Sequence, residues 1–202
     1  WPWKPKSSSP CTRRTCRACW PTRCCKAGGA AEPARLLNTY FDTPALDLRN
    51  ARMAVRERRV GTRVLLTVKT AGTSVGGLSR RGEWEAPRPR GALRFAPFVD
   101  DAALAQRLDA WAPQLVPVFH TDFARRTWVL AHAGARIEVA LDEGELRSGA
   151  APRVRRERIL EVELELLDGP LDALLDLAHT LVLGPQGRTE RALRLWPAQR
   201  SK

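Results

Sequence analysis

The residues with the clearest chemical capacity recur two apart in short alternating runs. Arg56 and Arg58 share MAVRERRV, Lys69 follows in RVLLTVKT, and Arg81, Glu83 and Glu85 alternate in LSRRGEWEA. Glu138 and Asp142 lie in ARIEVALDEGEL, and Glu161, Glu163 and Glu165 alternate in RILEVELELL. Side chains two apart on a strand share a face. Each set therefore points one way, with Val55, Trp84, the group Ile137, Val139 and Leu141, or the group Leu160, Val162, Leu164 and Leu166 opposite it. Arginine's planar fork binds phosphate oxygens in pairs and keeps its charge at any working pH. Carboxylates are the hard oxygen donors that Mg²⁺ or Mn²⁺ takes alongside substrate phosphate. A polyanion held by such arginines and bridged by such a metal is set up for in-line attack by water on phosphorus.

Taken strand by strand, these patterns also describe a half-exposed sheet with apolar residues inward and charges in water. Taken together they resist that reading. The hairpin 53–70 is basic, whereas the charged face of Arg158–Leu167 is acidic throughout, and three like charges in a row are costly without an opposing cation. Closing the sheet would set basic strands across a polar interior from acidic ones, leaving an apolar outer face for helices to cover.

The elements that must position these residues follow from periodicity. Leu36–Pro44 reads as a strand stopped by Pro44, and Met53–Val60 and Arg63–Thr70 form a hairpin around Gly61 and Thr62. Gly72, Gly76 and Gly77 suggest a mobile loop, followed by one strand over Leu78–Ala86. Leu104, Leu108 and Trp111 predict a helix within Asp100–Trp111. Strands follow at Val118–Ala131, Ala135–Leu146 and Arg158–Leu167, with Gly134 in the first turn. An amphipathic helix at Leu171–Leu183 and a short strand at Arg191–Trp196 complete the pattern. The expectation is an α+β protein built on an antiparallel β-barrel or strongly curved sheet.

Bulk composition agrees with a globular domain. Of 202 residues, 28% are charged and 44% hydrophobic, and no apolar run is long enough to span a bilayer. With no secretory signal at the start, a cytoplasmic location is expected. The net charge is +12, of which residues 1–35 supply +7, so the body is only mildly basic. No base-reading motif accompanies it, and specific nucleic-acid binding is not expected. His120, His132 and His179 fall singly, no nucleophile–base arrangement is present, and GTSVGGLSRRG lacks the ending of a Walker loop.

Residues 1–35 read differently. All five cysteines lie between Cys11 and Cys25, without periodicity. Cys16 and Cys19 have metal-ligand spacing, but Cys24 and Cys25 are adjacent and no histidine is near, which argues against zinc. A disulfide cluster fits a cytoplasmic setting no better. Translation in a shifted frame accounts for the segment. Read one base earlier, the Trp3–Lys4 junction must encode Glu, and the surrounding codons permit Met-Glu-Thr-Glu-Ile-Lys. The domain proper is expected over residues 36–196, after a disordered segment 1–35 and before a tail at 197–202.

The runs LLNTYFDTP, MAVRERR, TVKTAG, GGLSRRGEWE, TDFARRTW, IEVALDEGEL and ILEVELELL resemble, in order and spacing, the CYTH family of triphosphate tunnel metalloenzymes, specifically its inorganic triphosphatase branch. That resemblance implies an eight-stranded antiparallel tunnel that binds a triphosphate and needs divalent metal, Mg²⁺ or Mn²⁺. It implies triphosphate contacts at Arg56, Arg58, Lys69, Arg81, Arg125 and, in the degenerate ending GRTERALRL, Arg188. It implies an acidic side at Glu138, Glu161, Glu163 and Glu165 that holds metal, with Glu163 and Glu165 also positioning the attacking water. Inorganic triphosphate is the leading substrate, with thiamine triphosphate hydrolysis, ATP cyclisation, or polyphosphate or nucleotide binding without catalysis as alternatives. The family's opening Glu-x-Glu-x-Lys strand has no counterpart in WPWKPKSSSP, although the shifted frame permits one. The barrel is therefore expected to be incomplete and activity impaired, with Leu36–Pro44 and the final strand as exposed edges.

Overall fold

The computed structural model describes residues 32–75, 78–80, 82–149 and 152–183. The strands are β1 (Ala34–Asp42), β2 (Ala54–Val60), β3 (Arg63–Lys69), β4 (Thr73–Val75), β5 (Leu78–Arg80), β6 (Glu83–Pro87), β7 (Val116–His132), β8 (Ala135–Ser148) and β9 (Arg155–Asp168). The helices are α1 (Asp47–Asn50), α2 (Ala102–Trp111) and α3 (Leu171–Leu183). Seven strands form one sheet in the order β6-β3-β2-β1-β7-β8-β9, and β4 and β5 pair apart from it. The predicted strand Arg191–Trp196 and the segment 1–31 lie outside the described residues.

Among the described residues the chain forms two compact units. One holds Arg35–Ala124 and Gly144–Ile159, and the other holds Arg125–Glu143 and residues 160–183. In the first unit, β1, β2, β3 and β6 form an antiparallel ladder. Its alternation is the one the sequence predicts. Val55, Leu66 and Val68 are buried on one face, where they join Phe95, Val99, Leu104 and Leu108, with Trp84 packed alongside. Helix α2 covers that face because Leu104 and Leu108 recur at helical spacing, and the Asp101 carboxylate caps it by accepting from the Leu104 amide at 2.9 Å. A second, smaller cluster joins Leu36, Phe123 and Ile159.

Strand β1 ends two residues before Pro44, as the buried Asp42 carboxylate turns to the amides of Thr43, Leu48 and Arg49 at 2.8, 2.9 and 3.1 Å. It thereby fixes the short helix α1. The run LLNTYFD is not an exposed edge, contrary to the sequence expectation: β1 lies between β2 and β7. Asn38, Thr39 and Tyr40 meet Thr121, His120 and Phe119 in turn, so β1 and β7 run antiparallel. Alternation reveals which face is buried but not how many neighbours a strand has. Among the described residues the two ends of the sheet order are β6 and β9.

Two further expectations are corrected. Within the glycine-marked stretch, Thr73, Ser74 and Val75 form a strand opposite Arg80, Ser79 and Leu78. The single strand predicted over Leu78–Ala86 is two, β5 and β6. They separate at Gly82, whose carbonyl accepts from the Thr70 amide at 3.0 Å, and where a Cβ would sit 2.8 Å from the Thr70 hydroxyl and the Trp84 ring.

In the second unit, the β7–β8 turn places Ala133 and Gly134 at φ of 45° and 77°, the left-handed pair of a tight hairpin. Helix α3 buries Ala173, Leu174 and Leu177. Burial along β8 changes phase: Ala135 and Ile137 are buried, then Ala140 and Asp142. Glu138 is half-buried and Asp142 wholly buried, so the two differ in burial along the strand. No helix among the described residues is long and apolar enough to cross a membrane.

Candidate functional site

The polar face of the first unit is built row by row from the strand register. One row runs Tyr40, Arg56, Thr67, Glu85; the next pairs Asn38 with Arg58; a third pairs Ala54, Lys69 and Glu83. Arg56 is 3% exposed. One terminal nitrogen donates to the Thr67 hydroxyl at 3.2 Å and lies 3.9 Å from the carboxylates of Glu83 and Glu85. Thr67, itself fully buried, donates onward to Glu85 at 3.1 Å. The Nε of Arg56 is buried without a hydrogen-bond partner. The Lys69 ammonium lies 3.2 Å from Glu83. On the neighbouring row Arg58 Nε donates to Asn38 Oδ1 at 3.0 Å, and Asn38 Nδ2 donates to the Thr121 hydroxyl at 2.8 Å. Tyr40 stacks on Phe119, centroids 4.3 Å apart.

Thus Arg56, Arg58 and Lys69 share one face, as their spacing predicts. The surprise is where carboxylates approach Arg56 and Lys69. Glu83 and Glu85, on adjacent β6, approach the basic groups within the same ladder, so the basic and acidic strands are not wholly separate. At 3.9 Å the Arg56 contacts are loose ion pairs rather than the forked geometry arginine prefers.

The acidic strand belongs to the second unit. Arg125 donates through Nε and Nη2 to both oxygens of Asp142 at 2.7 Å each, and Nη2 also reaches Glu163 at 2.5 Å. Asp142 is wholly buried, whereas the Glu163 side chain is 47% exposed. Burial alone would lower the Arg125 pKa, but the hydrogen bonds and charges of Asp142 and Glu163 outweigh it and hold the pKa above the ordinary arginine value. Arg125 therefore stays charged. Glu138 and Glu161 are half-buried, and Glu165 is exposed. The oxygen donors suit Mg²⁺ or Mn²⁺ in type. Among the described residues, however, no three acidic, histidine or cysteine side chains converge enough to hold an ion, so the predicted metal set is incomplete there.

Arg81 and Arg188 lie outside the described residues. A cavity of about 400 Å³ bounded by Thr70, Trp84, Asp101, Ala103, Leu104 and Arg107 contains none of the predicted site residues. Three residues of the two clusters escape sequence reasoning as site members, Asn38, Thr67 and Thr121, while Asp142, noted beside Glu138 from the sequence, enters as the partner of Arg125. The one available signal was a polar residue at an inward position of an otherwise apolar alternation, as Asn38 is between Leu36 and Tyr40.

With this geometry in hand, comparison with known proteins is informative. The family model described as the CYTH domain matches residues 26–188. The chain is 31% identical over 154 residues to an inorganic triphosphatase of Haemophilus influenzae, a match covering 71% of this chain and 39% of that protein. It therefore spans about two fifths of that relative's length. A solved structure of an adenylyl cyclase candidate from Hippeastrum, described as having a dominant triphosphatase activity, superimposes with a TM-score of 0.51 at 16% identity, covering 85% of this chain and 80% of that one. That likeness extends to the fold, the antiparallel sheet with a few helices already described. On the breadth of the family match, the chain belongs to the CYTH domain family.

Proposed function

We propose that this chain is a phosphohydrolase that cleaves inorganic triphosphate or a related triphosphate with a divalent metal. The observation that carries the reading is Arg56: a buried guanidinium whose Nε finds no acceptor and whose carboxylate neighbours stand off at 3.9 Å. A buried, unsatisfied donor of this kind is expensive unless an acceptor arrives. A phosphate oxygen is the acceptor that a guanidinium matches best. Arg58 and Lys69 on the same face, with Arg81, Arg125 and Arg188 by family position, would add to the grip.

In this reading water attacks the terminal phosphorus, the bond to the bridging oxygen breaks, and pyrophosphate and orthophosphate leave. Glu163 and Glu165 are the groups proposed to orient that water and take its proton. Mg²⁺ or Mn²⁺, drawing on Glu138, Glu161, Glu163 and Glu165, would supply charge neutralisation when bound. The similarity to an inorganic triphosphatase supports the choice of substrate. One observation favours a second reading, binding without turnover: Glu163 is already engaged by Arg125 at 2.5 Å.

The test is phosphate release from tripolyphosphate, with Mg²⁺, with Mn²⁺ and after EDTA, alongside calorimetric binding of tripolyphosphate. Metal-dependent release is expected, and Arg56→Ala should weaken binding by about tenfold or more. Unchanged affinity in Arg56→Ala would end the proposal. Binding without metal-dependent release would select the second reading.

A further inference from the structure

Resting on that functional reading, we propose that Thr67 is a positioning residue for Arg56. Its hydroxyl stands between that guanidinium and the Glu85 carboxylate, keeps the two from closing into an ion pair, and so preserves Arg56 for a triphosphate. The register supplies the order. Thr67 lies opposite Arg56 across β2–β3 and opposite Glu85 across β3–β6, which puts the hydroxyl in the middle of one row. Arg56 Nη2 donates to Thr67 Oγ1 at 3.2 Å, and Oγ1 donates to Glu85 Oε2 at 3.1 Å. The outer members dictate that direction. A guanidinium has no acceptor and a carboxylate has no proton to give, so the hydroxyl takes from Arg56 and gives to Glu85.

The distances show what the hydroxyl prevents. The Glu85 oxygen that receives its proton is the same Oε2 that stands 3.9 Å from Arg56 Nη2. A guanidinium and a carboxylate in direct contact settle at about 2.7–2.9 Å, so this pair is roughly 1 Å from closing. Arg56 is buried and Thr67 fully so, which leaves little water to compete for either. Glu83 also stands 3.9 Å from Nη2, but its other oxygen lies 3.2 Å from the Lys69 ammonium. Glu85, on the row of Arg56 itself, is the competitor the hydroxyl faces.

The consequence reaches the unsatisfied donor. A guanidinium is planar and rigid, so drawing Nη2 onto Glu85 would move Nε as well. Nε is the buried atom without a partner, the one that an incoming phosphate oxygen would meet. A triphosphate would then have to break an ion pair before gaining that contact. Valine at position 67 would fill nearly the same space but could neither hold Nη2 nor occupy the Glu85 oxygen.

The experiment uses the full chain and calorimetric binding of tripolyphosphate at fixed ionic strength, with thermal denaturation of each variant. Thr67→Val is expected to weaken binding about tenfold, whereas Thr67→Ser, which keeps the hydroxyl, should retain it. Thr67→Ala carries the same expectation as Thr67→Val and replaces it if the valine variant does not fold. The diagnostic is Glu85→Gln. In the parent it should strengthen binding by no more than about threefold, through the loss of a nearby negative charge. In Thr67→Val it should recover most of the loss, because the competitor is gone. In an Arg56→Ala background, Thr67→Val should cause no further loss, since its effect passes through the arginine. The inference is overturned if Thr67→Val binds like the parent while Arg56→Ala does not, whatever the melting temperature. It is equally overturned if Glu85→Gln brings the same gain with and without the hydroxyl. Should Arg56→Ala itself leave affinity intact, the functional reading of this face fails first and the inference falls with it.

Discussion

Two arginines at strand positions that look alike in sequence meet opposite fates. Arg56 is buried against a threonine hydroxyl, with carboxylates at 3.9 Å and one donor unsatisfied. Arg125 is clasped by both oxygens of a fully buried carboxylate at 2.7 Å. The first arrangement leaves demand for an anion, whereas the second satisfies most of it and ties β7 to β8. Arg125→Ala should therefore be costly to stability, because it strips a buried carboxylate of its bidentate partner. A loss of about 3 kcal/mol is expected from urea denaturation. Glu163→Gln weakens the half-exposed contact with Arg125 and should cost under about 1 kcal/mol. Comparable losses from the two substitutions would contradict this division of roles. The sequence made the chemistry of both arginines legible, because residue type alone dictates what a guanidinium can bind. It could not reveal their partners, since Asp142 and Thr67 reach them from neighbouring strands through the ladder.

At the level of elements, β2, β3, α2, β7, β8, β9 and α3 were all legible from periodicity, because each buries one face and therefore repeats at two or at three to four residues. The break at Gly82 was not, since it depends on contacts with Thr70 and Trp84 that no local pattern encodes. Nor was the demand at Gly144, where a Cβ would fall 2.1 Å from the Asp122 carbonyl oxygen and 2.5 Å from Phe123. The β7–β8 turn invites a stabilising change: Ala133 holds φ of 45°, a region asparagine tolerates better than alanine. Ala133→Asn should raise unfolding stability by about 0.5–1 kcal/mol in urea, and a destabilised variant would refute the turn assignment. The tie between β1 and β7 carries a pH signature. A hydrogen bond from Arg35, helped by the charges of Arg35 and Arg147, holds the Asp122 carboxyl below its ordinary pKa. A depressed carboxylate stabilises the fold above its unfolded pKa, near 4, and that contribution disappears as pH falls through the folded value. Asp122→Asn should accordingly lower stability at pH 7 but converge with the parent as pH falls through the folded value, as followed by circular dichroism. The effect will be small because the Arg35 side chain is 72% exposed. A constant difference at every pH would assign the Asp122 contribution to something other than its charge.

For the molecule as a whole, the question is what completes the sheet. Seven strands lie in one order whose ends, among the described residues, are β6 and β9. The family match begins at residue 26, leaving the cysteine- and arginine-rich opening outside it. The resemblance calls for an eighth strand carrying Glu-x-Glu-x-Lys, and a shifted frame permits Met-Glu-Thr-Glu-Ile-Lys where WPWKPKSS now stands. Such a strand would do two things at once. Its backbone would pair with β6 or β9, the ends of the sheet order among the described residues, and its alternating carboxylates would add oxygen donors to an acidic set that does not converge on its own among the described residues. Replacing residues 1–25 with the shifted-frame sequence should then raise metal-dependent phosphate release from tripolyphosphate at least about tenfold, equivalent to roughly 1.4 kcal/mol of transition-state stabilisation. It should also raise the melting temperature, because edge pairing stabilises the folded state whether or not substrate is present. The two readouts separate the causes. A gain in stability without a gain in turnover would mean that the strand closes an edge but supplies no catalytic donors. Equal turnover and equal stability in both proteins would mean that the chain needs no such strand, and the acidic residues of β8 and β9 would have to be sufficient by themselves.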